Sequence, residues 1–224
     1  MKKPLSLLAL FMTLCLCLPA LALTTQEAES AARAYVPADA TLAETELDGG
    51  VYELAFRQET AVFDVDVDAA TGAVRKVEGE YKNVYGSRSH TLADAELPSL
   101  VTASFPEAEV LCTQETIDDG LYEIEAAFRT PSAYGVLSMN AETGALRKFE
   151  MYVGVTLSVE NPQAALDALE KLKPGIEVSR IMLDEDDGLL YWEGEAQWQN
   201  ARYEFELDAE SGQLTEGEPS YFKK

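Results

Sequence analysis

Histidine, cysteine and cationic residues are scarce in this chain. Its 224 residues include one histidine, three cysteines and 17 Lys+Arg against 40 Asp+Glu. A single histidine, His90, excludes a histidine-rich zinc pattern. It lies in the polar stretch GSRSH, which reads as an exposed connector rather than the seat of a general base. No nucleophile-elbow glycine-serine motif and no phosphate-cradling glycine loop accompanies it. Cys15 and Cys17 sit in the N-terminal segment, so Cys112 is alone beyond it and no intramolecular disulfide can form there. Stability must come from packing. Cys112 stands among Val110, Leu111 and Ile117 in a strand-like run and reads as a buried, inert thiol. The shortage of cations leaves a formal net charge of −23, a surface that repels nucleic acid and anionic lipid. Such a surface suits a basic partner, divalent cations or simple solubility.

No run of apolar residues is long enough to cross a bilayer. The longest, Leu5 to Leu18, falls short of the roughly 20 residues a span needs, and Pro19 ends it. Two lysines precede it and Ala20-Leu21-Ala22 follows, the layout of a secretory signal cleaved after Ala22. The cysteines there lack the small preceding residue of a lipidation site. Removing residues 1–22 takes away Lys2 and Lys3 and no acid, so the net charge becomes −25.

The remaining chain repeats itself. A proline follows a helical pattern at Pro37, Pro106 and Pro174, at steps of 69 and 68 residues. An acidic turn leads into an aromatic-Glu pair in DGGVYE, DDGLYE and DDGLLYWE, which end at Glu53, Glu123 and Glu193. A third landmark reads DAATG, NAETG and DAESG, with Gly72, Gly144 and Gly212 at steps of 72 and 68. Each unit opens with a short amphipathic helix. Ala28, Ala31, Ala32 and Tyr35 share one face, as do Ala165, Ala168, Leu169 and Leu172. Asn161-Pro162 is a favourable helix start and Pro174-Gly175 a stop. Leu97, Leu100, Val101 and Ser104 keep the spacing in the middle unit, provided Pro98 lies in the first turn. Strands follow. Tyr52, Leu54 and Phe56 alternate with Glu53, Ala55 and Arg57; Phe63, Val65 and Val67 alternate with Asp64, Asp66 and Asp68. Period-two alternation places one face on a core and one in water, and a slip of one residue would bury the carboxylates.

The Asp-Ala-x-Thr-Gly landmark admits three readings. Asp64, Asp66 and Asp68 have the spacing of the first ligands of a calcium loop, but Ala69 and Arg75 occupy the positions that need Gly and Glu. The other units keep no ligand set, so no metal site is assigned. Paired carboxylates for acid-base catalysis need dissimilar, partly buried environments, which an alternating outward row does not supply. No catalytic residue and no cofactor is assigned. A hairpin turn accounts for every position. Asp68, Asn140 or Asp208 bonds to amides ahead of it, and Gly72, Gly144 or Gly212 supplies a positive φ.

Helix, Tyr-Glu strand, then a strand ending in Asp-Ala-x-Thr-Gly and a hydrophobic restart resembles the PepSY domain. The resemblance covers nearly the whole chain after residue 22, with Trp192-Glu193 and DAESG departing most. It implies a module of the kind found in propeptides of thermolysin-type metallopeptidases and in bacterial cell-envelope proteins, with scaffold rather than catalytic residues at the shared positions. No peptidase domain follows, so the expected role is in trans.

The expectation is therefore an α+β protein. It comprises a signal peptide, 1–22, and three repeats, 23–82, 90–155 and 157–220, each one helix on a roughly four-stranded antiparallel sheet. Functionally it reads as a secreted or envelope-exposed, non-enzymatic bacterial module that binds a protein such as a secreted peptidase. The alternative is a structural or ligand-sensing envelope module that binds cations, wall polymer or small molecules through acidic faces. Tyr191, Trp192 and Trp198 are the candidate partner-binding residues. The tryptophans share one strand face, where they could equally fill the core, and Tyr191 takes the opposite face. Self-repulsion of this surface should relax smoothly as salt rises. Thermal stability is expected to climb gradually with sodium chloride, and stoichiometric micromolar calcium binding by calorimetry would refute the diffuse-charge reading.

Overall fold

A computed structural model describes residues 23–186, 188–199 and 201–220; residues 1–22, where a signal peptide is expected, lie outside them. The order of elements is α1 (Thr25–Ala32), β1 (Thr41–Asp48), β2 (Val51–Arg57), β3 (Ala61–Asp68) and β4 (Val74–Tyr81). A 3-10 turn (Asp94–Glu96) then leads to α2 (Leu97–Ser104), β5 (Glu109–Asp118), β6 (Leu121–Thr130), β7 (Ala133–Asn140) and β8 (Leu146–Val153). Last come α3 (Pro162–Leu172), β9 (Glu177–Asp186), β10 (Leu189–Trp198), β11 (Ala201–Asp208) and β12 (Leu214–Ser220).

The helices start where local chemistry satisfies their free amides. Thr24 and Glu27 form a reciprocal capping box on α1, Asn161 accepts from the Ala164 amide on α3, and Pro98 sits in the first turn of α2. Each helix buries an i, i+4 pair: Ala28 and Ala32, Leu97 and Val101, Ala165 and Leu169. In β3 the alternation runs as far as Val67, with Ala61, Phe63, Val65 and Val67 buried and Val62, Asp64 and Asp66 half-buried; Asp68, expected on the outward row, is buried because its carboxylate turns into the hairpin loop.

One sheet per repeat is not what forms. The strands make an eight-stranded sheet in the order β1-β2-β3-β4-β8-β7-β6-β5 and a four-stranded sheet in the order β12-β11-β10-β9. The first two units fuse because their last strands, β4 and β8, pair antiparallel and so remove two open edges. Glu78 pairs with Glu150, Val77 with Met151 and Gly79 with Phe149. Counted from Gly72 and Gly144, Glu78 and Glu150 occupy the same place, so a local two-fold axis passes through this pair. That symmetry puts α1 and α2 on one face, over a shared core containing Ala28, Leu54, Phe63, Val101, Phe128 and Phe149. Gly79 is part of the seam: a Cβ there would lie 2.2 Å from the Phe149 ring.

Among the described residues, the other face of the eight-stranded sheet carries no helix. Over β5, β6 and β7 it is covered by β9, the edge of the four-stranded sheet. Ala127, Tyr134 and Tyr152 below share a cluster with Met182, Leu183 and Trp192 above. Arg180 Nε donates to Gln114 Oε1 at 2.6 Å across this contact, and Cys112 Sγ lies 3.6 Å from Met182 Sδ. An edge strand is thus hidden by standing it on another sheet.

The acidic landmark performs two tasks. Asp68 Oδ1 accepts from the Ala70 and Thr71 amides and the Thr71 hydroxyl, at 3.0, 2.7 and 2.8 Å. Asn140 Oδ1 does the same for Glu142 and Thr143, and Asp208 Oδ1 accepts from the Glu210 and Ser211 amides. Gly72, Gly144 and Gly212 close the turns at φ of 75°, 67° and 71°. The alanine after each acid or amide is buried, and its carbonyl accepts from the chain just before a helix. Leu23 N donates to Ala69 O at 2.7 Å, Leu92 N to Ala141 O at 3.0 Å and Val159 N to Ala209 O at 3.0 Å. The hairpin turn is therefore also the anchor of the helix start.

The aromatic landmark completes the anchor in two of the three units. Tyr52 Oη donates to Leu23 O at 2.6 Å and Trp192 Nε1 to Val159 O at 2.7 Å. Tyr122 does not take this place. Asp68 pairs with Val51, Asn140 with Glu123 and Asp208 with Tyr191, so Ile124-Glu125, not Tyr122-Glu123, is the counterpart of Tyr52-Glu53 and Trp192-Glu193. By the same register Tyr191 corresponds to Glu123 rather than Leu121. The hairpin joining β5 to β6 reaches two residues further than that joining β1 to β2, and the linker uses the extension. Ser87 N donates to Tyr122 O at 2.9 Å and Tyr122 N to Ser87 O at 2.6 Å.

Gly120 and Gly144 separate strain from packing. Both have positive φ, but a Cβ on Gly120 meets nothing within 4 Å, whereas one on Gly144 lies 2.5 Å from a Leu100 methyl. Gly120→Ala is expected to cost about 1 kcal/mol and Gly144→Ala clearly more, about 2–3 kcal/mol, in urea unfolding. Equal losses would show that the turn does not bear on α2.

Candidate functional site

The helix-free faces carry most of the paired charge, and Lys76 organises them. It lies on β4 one residue from the Val77-Met151 pair of the seam, where Glu78 of β4 opposes Glu150 of β8. Like charges directly opposite across a ladder repel. Lys76 Nζ lies 2.7 Å from Glu78, 3.4 Å from Glu150 and 3.2 Å from Glu185 at the end of β9. Tyr152 Oη donates to Glu150 and Glu185 at 2.8 and 3.1 Å, and the ammonium stands 5.4 Å from the Tyr152 ring centre. One cation thereby ties together all three segments of the chain.

The protonation states follow. Burial opposes the charge on Lys76, but the carboxylates of Glu78, Glu150 and Glu185 outweigh it and raise its pKa. Burial first, then Glu150 and Glu185, pushes the Tyr152 phenol up as well. Glu185 is opposed by burial, yet the Gly188 amide, Lys76 and Tyr152 hold it below the usual carboxylate range. Neither the ammonium nor the phenol is available as a base near neutrality.

Two concavities flank this junction. A cleft of about 250 Å³ opens between β6–β8 and β9–β10. Val136 and Met182 line its apolar side; Glu125, Lys148, Arg180 and Glu193 line its polar side. Burial, then Asp184, raises the Glu193 pKa, with Glu206 and Glu125 adding to the shift and Arg180 opposing it. A groove of about 430 Å³ lies on the uncovered half of the sheet, over β1–β4, lined by Glu44, Glu46, Glu53, Asp64, Asp66 and Glu78 with Arg57 and Lys76. Burial, then Glu53 and Glu78, raises the Asp66 pKa.

Asp68 does not join that groove. It sits in its turn, beside Arg75, and the Thr71 hydroxyl and amide hold its pKa down at about 2. Asp64 pairs with Arg57 at 3.4 Å. Among the described residues no group of three or more His, Cys, Asp or Glu is placed to hold a metal ion. His90 Nδ1 faces Glu115, and burial raises the Cys112 thiol to about 11, which keeps it protonated.

The three aromatic candidates are not brought together. Trp192 is fully buried under the start of α3. Trp198 is half-buried, with Lys173 Nζ 4.4 Å above its ring, Tyr203 edge-on to it and Nε1 donating to Pro174 O. Tyr191 is half-buried on the opposite face, between Asp184 and Asp208 in the ladder. One polar site escapes the sequence pattern. Glu123, 3% exposed, accepts from Ser138 and pairs with Arg147 at 2.8 Å; Arg147 also reaches Asp118 at 3.1 Å. Nothing in a Tyr-Glu pair signals burial of its carboxylate; only the two-residue offset of β6 does.

The profile of the family described as peptidase propeptide and YPEB domain, PepSY, matches residues 22–78 and 161–218, just over half of the chain. No curated protein matches it. The C-terminal domain of YpeB from Bacillus megaterium aligns at 14% identity and a TM-score of 0.38, over 89% of this chain and 99% of that one. A protein of Clostridium difficile 630 described as a lipoprotein aligns at 12% identity and a TM-score of 0.32, over 59% of this chain and 95% of its own. No helix among the described residues is long and apolar enough to cross a membrane.

Glu185 tests the junction. Its depressed pKa means that its contribution is fully present above the unfolded value of about 4.3 and is lost as pH falls through the folded value. Glu185→Gln is expected to lower urea stability by about 1–3 kcal/mol at pH 7. The gap to the parent should close at acid pH, and a gap independent of pH would remove Glu185 from the junction.

Proposed function

Because the chain belongs to the PepSY family, we propose that it is a secreted or envelope-exposed, non-enzymatic binding module built of three PepSY domains, 23–82, 90–155 and 157–220, that restrains a secreted peptidase. The middle domain lies outside the two matched regions. What supports its inclusion is the same helix-then-four-strands order, the same Asn-capped, glycine-closed turn and the same carbonyl anchor at Ala141.

The observation that carries a binding role is the acidic groove over β1–β4, where six carboxylates face two cations, and the state of the groups beside it agrees. Lys76, Tyr152 and Cys112 all have raised pKa values, and each is held in its protonated form. A nucleophile is activated by a lowered pKa, and the pKa of each of these groups is moved the other way. The surface between them is shaped, charged and partly uncovered, which suits contact with another protein. Its acidity favours a partner with a basic patch and speeds encounter at low salt.

The test is titration of the secreted chain against thermolysin-type metallopeptidases and against the proteases secreted beside it. Saturable inhibition at one chain per enzyme, with the chain left intact, is the expected result. Digestion of the chain without any loss of peptidase activity would exclude this role.

A further inference from the structure

The local two-fold axis through Glu78 and Glu150 makes the helix-free face of the eight-stranded sheet a pair of twin halves, and among the described residues only one half is covered. The twins can be compared row by row. Glu46, Glu53, Asp66 and Lys76 lie side by side across β1–β4; Gln114, Glu125, Ser138 and Lys148 are the corresponding row across β5–β8. The next row is Glu44, Ala55, Asp64 and Glu78 in the first half, and Cys112, Ala127, Val136 and Glu150 in the second. Even the bulges coincide, between Leu42 and Glu44 and between Val110 and Cys112.

In the second half this face receives the β9 edge. Cys112 touches Met182, and Arg180 of β9 donates to Gln114, whose Nε2 in turn serves Glu125. The occupied twin therefore shows what the face does: it seats a strand edge and meets its arginine at the Gln114 position. At the four corresponding positions, Cys112, Gln114, Val136 and Ser138 give way to Glu44, Glu46, Asp64 and Asp66. The shape is kept and four neutral side chains become four carboxylates. Lys76 is committed to Glu78, Glu150 and Glu185, and Arg57 to Asp64. Among the described residues, the side chains of Glu44, Glu46, Glu53 and Asp66 make no ion pair or hydrogen bond; the half-buried Asp66 stands between Glu53 and Lys76 in the ladder, and Lys76 attracts it without pairing with it.

We propose that the helix-free face of β1–β4 is the docking site for an extended segment of a partner protein that carries lysine or arginine on the side facing the sheet. The segment lies where β9 lies on the twin, and its cations meet Glu46 and Asp66. A second copy of this chain is a poor occupant, because its net charge is −23. The inference rests on the binding-module reading and names the surface and partner chemistry that reading leaves open.

The probe is a ten-residue peptide alternating arginine and valine, with citrulline replacing arginine in its control, titrated at fixed ionic strength. Glu46→Gln with Asp66→Ser converts the row to that of the twin, residues the fold already accommodates there. Asp94→Asn with Glu210→Gln removes the same charge from exposed turns elsewhere. One-site binding of the arginine peptide is expected, weakened about ten-fold or more by the first pair and unchanged by the second. Equal weakening by both pairs would reduce the effect to diffuse attraction and overturn the site. So would equal binding of the citrulline peptide, absence of binding, a dimer formed through this face, or one-site calcium binding without peptide binding. Peptidase inhibition is scored separately. Inhibition without peptide binding sinks the docking face and leaves the regulatory reading; peptide binding without inhibition does the reverse.

Discussion

One ammonium group makes the assembly of this chain electrostatically tenable. Pairing β4 with β8 sets Glu78 against Glu150 at the centre of the sheet, and folding β9 onto the same region adds Glu185. Three carboxylates at one half-buried point would push the segments apart. Lys76 reaches all three, and Tyr152 donates to two of them. Such a pairing is worth less than its Coulomb energy, because each charge gives up water to enter it. Its larger effect is on specificity: it selects the one arrangement in which the three segments meet. The seam also needs Gly79, which leaves room for the Phe149 ring.

Within each segment the controlling unit is smaller. A short acidic turn closes a hairpin and, through a buried alanine carbonyl, holds the residue from which the helix departs. The helices are only 8 to 11 residues long and would be marginal alone. Tying their starts to the turn orients the small apolar faces of Ala28 and Ala32 or Ala165 and Leu169 toward the sheet. The same turn sequence therefore serves sheet and helix together, a physical reason for it to recur intact while the loops between landmarks vary.

The departures among the segments are as informative as the likenesses. The longer second hairpin moves Tyr122 off the anchoring position and gives the linker a strand to pair with through Ser87. It also carries Glu123 inward, where Arg147 and Ser138 satisfy it. The two halves of the helix-free face keep one geometry with opposite chemistry, neutral under β9 and acidic where uncovered. An all-acidic face could not have seated β9, whose Met182 and Leu183 need apolar neighbours.

Much of this was legible in the amino-acid order because it is local. The helix start at Asn161, the glycine-closed turns and the alternation of β3 depend on residues within a few positions of one another. Period-two patterning with outward carboxylates leaves one register for each hairpin. The fate of the edges was not legible. Whether β4 meets solvent or β8, and whether β9 lies free or stands on another sheet, is decided by contacts between residues far apart in the chain, such as Glu78 with Glu150, Cys112 with Met182 and Gln114 with Arg180. Lys76 shows the difference: in sequence it is one of 17 cations on an acidic chain, with nothing nearby to mark it. Only folding brings Glu150, Tyr152 and Glu185 around it, since no alternation or spacing rule encodes which edge of a sheet will find a partner.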